Sequence, residues 1–470
     1  MKILLVSIDN LRSDCVSWNN ACATLKVEGS MIRKPRTQTL DDLCSEGAFF
    51  SNCFSAAPYT TSSHASILTG VYPGRHGIRE YYRTGLSKDI KTILQRFKQE
   101  GYKTVFYTDF PFLLGPILDF TRDVDEYIIN DESNLNKYFN DDNQNIFIFA
   151  HFGSVHNPFG LTSLRYDEDY FIQKVEELAS RIGIPVQTKT EKEWIEKNYS
   201  EHEKLLRQRY IKGTDYLYNN KRYTELMDLY VEGVEYFDGH RFKQFTKAVQ
   251  ESGFLKNGAA CILADHGEEY SERSFAHHNG LWDTIVNVPL IFVGSEMPKG
   301  SYNNSICRTV DVVPTLLDLA GIEYKNSEFD GQSLCQMFNS TEEIREAYGE
   351  TWFGYPDRIL DFMHMCKSND KLLKSGIMAS TRMEYCRNSE WKLIINTKIE
   401  SNEEKVLLFS IEQDSMEEND LSSEYPEVVQ KLKEKILEQR NRGFNYSNLQ
   451  VRREEADEIK KGLQSLGYIK

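Results

Sequence analysis

The sequence predicts an α/β fold: a large, mostly parallel sheet sandwiched by helices, followed by a smaller C-terminal α+β domain. Three observations predict it. The chain has 470 residues, which favours one large domain with a smaller one. Several apolar runs are continuous rather than alternating, which is typical of parallel strands buried on both faces. A segment with helical spacing and a closing glycine precedes one such run, as in the repeating units of α/β folds.

The individual elements follow from these patterns. The run "KILLVSID" predicts the first buried strand, and "NIFIFAHF" and "GAACILADHG" predict two more. The segment "KDIKTILQRFKQEGYKTVFYTDF" has helical spacing up to Gly101 and then continues as a strand. The segment "VDVVPTLLDLAGI" predicts a short helix closed by Gly321.

We place a domain boundary near residue 345, so that residues 1–345 form the large domain and residues 346–470 the small one. In the small domain, "EWKLIINTK" and "KVLLFSIEQD" predict an antiparallel strand pair, and "YPEVVQKLKEKILEQRNRG" predicts a helix. Residues 165–250 are rich in Lys, Glu and Tyr and predict amphipathic helices. We expect them to form an insertion or lid that determines specificity.

Composition and charge restrict the class of partner. Acidic residues outnumber basic ones by 71 to 56, which argues against nucleic acid or an anionic membrane surface as the main partner. Nine cysteines occur without paired metal-binding spacing, which favours reduced thiols. The first apolar run, in "MKILLVSIDN", is too short for a signal peptide or a membrane span. We therefore expect a cytoplasmic protein with no nucleic-acid and no membrane partner.

Three predicted strands end in residues of the types that bind metals. In open α/β sheets, ligand sites form beyond the carboxyl ends of the strands, so these residues should gather there. Carboxylate, amide oxygen and imidazole together suit one divalent metal, whereas a helix-capping or loop role is the alternative. The residues are, in chain order, Asp9 and Asn10, His151 and nearby His156, and Asp265 and His266.

Four hydroxyl residues stand in a row before an apolar helical run in "APYTTSSHASILTGVYPGRHG", residues 57–77. Helix capping explains one or two of them. A helix N-terminus also favours negative charge, so an alkoxide, a phosphate or a sulfate would be stabilised there. A metal held by Asp9 and Asp265 would lower the pKa of an alcohol and orient it for attack. One of these hydroxyls is therefore a candidate nucleophile.

These segments resemble the sulfatase family of the alkaline phosphatase superfamily. The stretch "VSIDNLRSD" resembles its opening metal motif, "TTSSHASILTGVYPGRHG" its signature, "SVHNPF" its histidine-proline loop and "ADHGEE" its second metal motif. The later segments "AHHNGLWDTIVNVPLIF", "DGQSL" and "LLFSIEQDSMEENDLSSEYPEVV" extend the resemblance over most of the chain. The resemblance implies the fold of that superfamily and a metal-dependent ester hydrolase in the large domain.

The resemblance places Thr60 at the nucleophile position, with Thr61 or Ser62 as alternative nucleophiles. It implies one metal site, at which Thr60 would be a fifth ligand. Manganese or zinc is favoured because one ligand is an imidazole, and calcium is the alternative. The metal ligands that it implies are Asp9, Asn10, Asp265 and His266.

Further roles follow from the same resemblance. His156 and His277 would protonate the leaving group or hold the non-bridging oxygens, and His278 would replace His277 if the register slips by one residue. His64 is expected to contact the nucleophile or a bound oxyanion, or else to lie on the helix surface. Arg75 is expected to touch the anion or to form a structural ion pair.

Three departures separate the chain from formylglycine sulfatases. Thr60 cannot be oxidised to formylglycine, His64 stands where sulfatases carry Arg, and "GYKTVFYTDFPF" lacks the signature Gly-Lys-Trp. We therefore expect hydrolysis of phosphodiesters or phosphonate esters through a covalent Thr60 intermediate, on small anionic substrates that include sugar-linked ones. The alternatives are a sulfate-ester hydrolase with an unmodified alcohol, a soluble phosphoryl-group transferase, and a non-catalytic binding protein.

Overall fold

The computed structural model describes residues 1–20, 24–79, 85–141, 145–160, 168–183, 202–271, 280–340, 345–352, 381–399 and 401–442. Its strands, in chain order, are β1 (Lys2–Ile8), β2 (Leu25–Val27), β3 (Ser30–Ile32), β4 (Gly47–Phe54), β5 (Lys103–Thr108), β6 (Glu126–Ile129), β7 (Ile146–Phe152), β8 (Gly258–Leu263), β9 (Asn287–Gly294), β10 (Ser301–Asn303), β11 (Cys307–Arg308), β12 (Ala347–Thr351), β13 (Thr381–Arg387), β14 (Trp391–Lys398) and β15 (Glu404–Ser410).

A large sheet forms the centre of the molecule and confirms the predicted fold class. Its strand order is β10-β4-β9-β8-β1-β7-β5-β6, and β11 also pairs with β4. Strand β9 runs antiparallel to both β4 and β8, whereas the other pairings are parallel, so the sheet is mostly parallel. The three predicted strands β1, β7 and β8 are buried along their whole length.

Strand β1 lies between β7 and β8 and is parallel to both. Ser7 is aligned with His151 on one side and with Leu263 on the other. The carboxyl ends of these three strands therefore meet at one edge of the sheet, directly before Asp9 and Asp265.

Helices cover the sheet. The predicted unit of helix, turn and strand is confirmed: α4 ends before Gly101, whose φ of 79° permits the reversal into β5. Within the described part of the chain, none of the helices combines the length and apolar character that crossing a membrane requires. The α-helices are α1 (Gln38–Ser45), α2 (Thr60–Thr69), α3 (Pro73–His76), α4 (Ile93–Gln99), α5 (Asn136–Phe139), α6 (Glu168–Ile182), α7 (His202–Asn219), α8 (Tyr223–Phe237), α9 (Lys243–Glu251), α10 (Asp283–Val286), α11 (Val312–Leu319) and α12 (Pro426–Arg442), with a π-helical turn (Asp238–Phe242) between α8 and α9.

The second sheet is small and antiparallel, with the order β12-β13-β14-β15. The predicted pair β14 and β15 is confirmed, with Ile394 opposite Leu407. One face of this sheet packs against Leu432 and Ile436 of α12. The other face joins the large domain in a cluster that includes Trp282. The small sheet therefore buries both of its faces, one of them against the domain that carries the strand ends.

Candidate active site

Two carboxylates and an imidazole meet beyond the carboxyl ends of β1 and β8. One ligand atom from each of Asp9, Asp265 and His266 lies within 4.8 Å of the others, and all three side chains are buried. Nε2 of His266 is 3.5 Å from Oδ2 of Asp265 and 3.9 Å from Oδ1 of Asp9. Nδ1 of His266 donates to the carbonyl of Gly267 over 2.9 Å, so Nε2 carries the ring's lone pair and faces the carboxylates. A divalent cation fits this arrangement.

Asn10 adds an amide to the cluster. Its φ of 71° lies in the left-handed region, which Asn tolerates better than most residues. Its backbone N–H donates to Oδ1 of Asp265 over 3.1 Å, and its Nδ2 donates to Glu268. Within the described residues, Oδ1 of Asn10, Oδ1 of Asp9 and Oδ2 of Asp265 are buried and have no hydrogen-bond partner. Buried oxygens in need of a partner, beside one imidazole, fit an oxygen-rich metal site.

Negative charge is in excess at this cluster. Burial raises the pKa of Asp9, but the hydrogen bond from His151 and the electrostatic interaction with the His266 ring outweigh it and hold that pKa well below its usual value. Burial and the charge of Asp9 raise the pKa of Asp265 to about 6. Burial and the same charge raise the pKa of Glu268 well above its usual value. A bound cation would relieve this repulsion.

Thr60 is the first residue of α2 and places its hydroxyl at the cluster. The preceding residue, Tyr59, is the N-cap and forms no side-chain cap. Oγ1 of Thr60 donates to Oδ2 of Asp9 over 3.2 Å, and the residue is 3% exposed. The first N–H groups of a helix have no intrahelical partner. The Thr60 hydroxyl therefore contacts a carboxylate of the cluster at the N-terminus of a helix, where N–H groups lack intrahelical partners.

The next three hydroxyls serve other purposes. Ser62 donates to the carbonyl of Ile78 over 2.7 Å, and Ser63 donates to the carbonyl of Asp265 over 2.7 Å. The buried hydroxyl of Thr61 has no hydrogen-bond partner among the described residues. The two serines thus fasten the first turn of α2 to neighbouring segments, and Thr60 is the hydroxyl that contacts the cluster.

His151 orients Asp9. Its Nε2 donates to Oδ2 of Asp9 over 3.1 Å, and its Nδ1 accepts from the hydroxyl of Thr108 over 3.1 Å. Both ring nitrogens are therefore engaged. The imidazole lies behind the carboxylate rather than among the cluster of metal-ligating atoms.

His156 lies in the loop after β7 and is 6% exposed. Its Nδ1 donates to the carbonyl of Asn157 over 3.0 Å, and its ring meets that of Phe110 edge-on at 5.6 Å. Burial lowers the pKa of His156, against the opposing charge of Asp9. The imidazole thus lies within electrostatic range of the cluster, as a proton donor near it requires.

His64 lies beneath the first turn of α2, so the expectation of a surface position is wrong. It is wholly buried; Nδ1 donates to the carbonyl of Thr60 over 2.7 Å and Nε2 accepts from the hydroxyl of Ser7 over 2.8 Å. Burial lowers its pKa to about 3, so the ring is neutral. His64 contacts the candidate nucleophile through its backbone and holds it in place.

Arg75 forms an ion pair away from the strand ends. Its Nη1 lies 2.9 Å from Oδ1 of Asp330, and its Nη2 donates to the carbonyl of Glu328 over 3.3 Å. This ion pair is the structural alternative that was expected for Arg75, and contact of Arg75 with the anion stays a prediction. His277 and His278 lie outside the described residues, so their roles stay predictions.

Asp109 lies within the segment that lacks the family's lysine, and it binds an arginine from the helical region. Nη1 of Arg241 lies 2.6 Å from Oδ2 of Asp109 and donates to the hydroxyl of Ser154 over 2.7 Å. Arg241 also pairs with Glu132 at 3.0 Å. Arg241 therefore anchors the loop that carries His156. Sequence reasoning missed this contact, for which an aspartate at a strand end was the only sign.

Sequence comparisons agree with these motifs. A family model described as Sulfatase matches residues 2–322. A sulfatase of Formosa agariphila is 28% identical over 144 residues, which cover 30% of this chain and 28% of that protein. Arylsulfatase K of Mus musculus is 27% identical over 40% of this chain and 31% of its own length. Delta 4,5-hexuronate-2-O-sulfatase of Bacteroides thetaiotaomicron is 25% identical over 61% of this chain and 63% of its own length. The matches thus span less than two thirds of each of these relatives.

Solved structures share the fold. One, solved in complex with its substrate D-glucosamine-2-N,6-O-disulfate, has a TM-score of 0.67 at 17% identity and covers 93% of this chain and 98% of its own. The phosphonate monoester hydrolase of Agrobacterium radiobacter has a TM-score of 0.62 at 14% identity, over 94% of this chain and 95% of its own. Because the family model matches well over half of its length, the chain belongs to the sulfatase family.

Proposed function

We propose that the chain hydrolyses phosphodiesters or phosphonate monoesters through a covalent intermediate on Thr60. One observation carries the proposal: Oγ1 of Thr60 lies 3.2 Å from Oδ2 of Asp9, at the first turn of a helix. Threonine cannot become formylglycine, so the nucleophile is an unmodified alcohol. Phosphonate monoester hydrolases among the structural neighbours are consistent with a phosphorus ester.

The chain offers a binding site for one divalent metal. A single imidazole among oxygen ligands favours manganese or zinc, and calcium would also fit. When bound, the metal would lower the pKa of the Thr60 hydroxyl and attract the anionic ester. The residues that would hold it are Asp9, Asn10, Asp265 and His266.

The residues of the chain have separate roles in the two steps of the reaction. Oγ1 of Thr60 attacks phosphorus while its proton leaves along the hydrogen bond to Asp9. The bond from phosphorus to the leaving alcohol breaks, and that alcohol takes a proton from His156, whose protonated form is favoured by the negative charge of the bound ester. N–H groups at the start of α2 stabilise the non-bridging oxygens. Water then attacks phosphorus and gives a proton to His156, while the bond from phosphorus to Thr60 breaks and Oγ1 of Thr60 regains its proton along the hydrogen bond to Asp9.

Hydrolysis of sulfate esters is the second candidate. The curated relatives named above are sulfatases, and one structural neighbour was solved with a disulfated glucosamine. The same hydroxyl would attack sulfur, and a sugar-linked sulfate would be a small anionic ester of the expected kind. Transfer to an alcohol acceptor would share the first step and replace the attacking water.

The test is turnover of matched 4-nitrophenyl esters with added manganese or zinc: sulfate, phosphate monoester, phosphodiester and phenylphosphonate. We expect the diester or the phosphonate to react fastest and Thr60→Ala to abolish the reaction. Thr61→Ala is the matched control, because it removes the adjacent buried hydroxyl that has no hydrogen-bond partner within the described residues. Fastest turnover of the sulfate would favour the second candidate. A fully active Thr60→Ala enzyme would overturn the nucleophile assignment in both.

A further inference from the structure

Asn10 is held by a tyrosine from the helical region. Tyr230 lies in the middle of α8 and is completely buried, and its hydroxyl donates to the carbonyl of Asn10 over 2.7 Å. The same hydroxyl accepts from the backbone N–H of Arg12 over 3.0 Å. One oxygen atom thus satisfies two backbone groups on either side of the turn that follows β1.

The backbone at this turn needs such support. Asn10 has a φ of 71°, a conformation that is less favourable for residues with a side chain. Its carbonyl faces α8, and it is fully buried together with Tyr230. Without the tyrosine hydroxyl, a buried carbonyl and a buried N–H would each lose a partner.

The side chain of Asn10 is held as well. Nδ2 donates to Oε2 of Glu268, which leaves Oδ1 as the atom available to a cation. The segment of Glu268 is itself tied to the turn, because Nη1 of Arg12 donates to the carbonyl of Glu268 over 3.1 Å. Backbone and amide contacts therefore act together on the orientation of one ligand.

We propose that Tyr230 is a positioning residue for the metal, because its hydroxyl holds Asn10 with Oδ1 available beside Asp9 and Asp265. Helix α8 is thus a part of the metal site. The inference rests on the metal site of the proposed function but is independent of the class of ester. Groups that orient metal ligands typically contribute about 10-fold to 100-fold in metal affinity.

The experiment compares Tyr230→Phe with Tyr210→Phe. Both substitutions remove one hydroxyl from a buried tyrosine, and both rings contact Phe159, at 5.8 Å and 6.4 Å respectively. In the described part of the chain, no hydrogen bond joins Tyr210 to the Asn10 turn. Mn²⁺ is titrated calorimetrically into chelator-treated wild-type protein and both variants, and the Tm of each metal-free protein is recorded.

We expect the Kd for Mn²⁺ to rise about 10-fold in Tyr230→Phe and to stay unchanged in Tyr210→Phe. The metal-free Tm of Tyr230→Phe should be lower than that of Tyr210→Phe, because a buried carbonyl and a buried N–H lose their partner. Saturating Mn²⁺ should return the kcat of Tyr230→Phe to that of the wild type. An unchanged Kd in Tyr230→Phe would overturn the inference, and so would a kcat that saturating Mn²⁺ does not restore. Failure of the wild-type protein to bind Mn²⁺ would instead remove the metal site itself, and the inference with it.

Discussion

Lys392 lies in a buried ion cluster that joins the small sheet to the large domain. Its side chain is 0% exposed, and Nζ is 2.6 Å from Oδ1 of Asp283 and 2.6 Å from Oε1 of Glu417. Asp283 also pairs with Arg387 at 3.1 Å. Because Asp283 belongs to α10 and the two cations to β14 and β13, the cluster connects the small sheet to the segment that precedes β9 of the large sheet.

We expect Lys392→Met to lower the free energy of unfolding by about 3–5 kcal/mol, because removal of one partner leaves a buried charge without compensation. Asp283 keeps its ion pair with Arg387, whereas Glu417, whose pKa burial already raises, loses its ion pair with Lys392. Without Lys392, the pKa of Glu417 rises further above its unfolded value. The folded variant then binds that proton more tightly than the unfolded chain does, so the loss of stability shrinks as pH falls from about 8 to about 5.

The assay is urea unfolding of the wild type and the variant at both pH values, compared at equal m-values. Lys398→Met is the matched control on the same strand, because Lys398 is 62% exposed and pairs with Glu403, which is 65% exposed. Exposed pairs of this kind contribute below about 1 kcal/mol. Adding Glu417→Gln to Lys392→Met should restore part of the lost stability. If Lys392→Met costs no more than Lys398→Met, or the same at both pH values, the reasoning is refuted.

Two further substitutions test the site and the core. Asp265→Asn should abolish Mn²⁺ binding, because an NH₂ group replaces the oxygen Oδ2. The fold should change little, because the amide oxygen can still accept from the N–H groups of Asn10 and His266. Metal retained after dialysis would contradict this. His76→Gln should make the free energy of unfolding less dependent on pH below about pH 6.5. Burial lowers the pKa of His76 to about 3, so the unfolded chain takes up a proton below about pH 6.5 that the folded protein excludes, and wild-type stability falls by about 1.4 kcal/mol per pH unit from this group. If urea unfolding gives the wild type and the variant the same decrease in free energy of unfolding at acid pH, this prediction is contradicted.

The meeting of Asp9, His151 and Asp265 could be predicted from local sequence. Each ends or follows a continuous apolar run, and runs of that kind form parallel strands buried on both faces. Parallel neighbours place their carboxyl ends together, and the register of Ser7 with His151 and Leu263 shows this. Local patterns were therefore enough for the strands and for the edge at which the site lies.

The surroundings of His64 and Arg75 could not be predicted, because their partners are distant in the chain. His64 is held by Ser7, 57 residues away, and Arg75 by Asp330, 255 residues away. Helical periodicity gives the face of a helix that is buried, but it does not say what lies against that face. Only the apolar residues after His64 indicated burial.

The position of Lys392 in β14 also bears on how much the sequence shows. In a strand, alternate residues share a face, so Lys392 lies on the same face as the buried Ile394. A charged residue on an apolar face requires a buried partner of opposite charge. The partners Asp283 and Glu417 are distant in the chain, so the three-dimensional structure is needed to identify them.

The helical region, residues 165–250, contributes two buried residues that hold parts of the site in place. Residues 165–250 were expected to act as a lid or a specificity wall, yet Tyr230 and Arg241, which they contribute, are both buried and bound to protein groups. Tyr230 holds Asn10, and Arg241 holds the loop of His156. These two residues therefore affect the chemistry through the position of other side chains.

The charge of the site restricts the class of ester that it can bind well. A neutral His64 stands where sulfatases carry Arg, and the segment that lacks the family's lysine contains Asp109, whose charge is matched by Arg241. The site therefore has fewer positive charges to offer an anion than a sulfatase that has both cations. Phosphodiesters, phosphonate monoesters and sulfate esters each carry one negative charge, whereas a phosphate monoester carries about −1.5 to −2 at neutral pH. The second charge would meet the two carboxylates of the cluster with less compensation, so phosphate monoesters should be the poorest of the four ester classes.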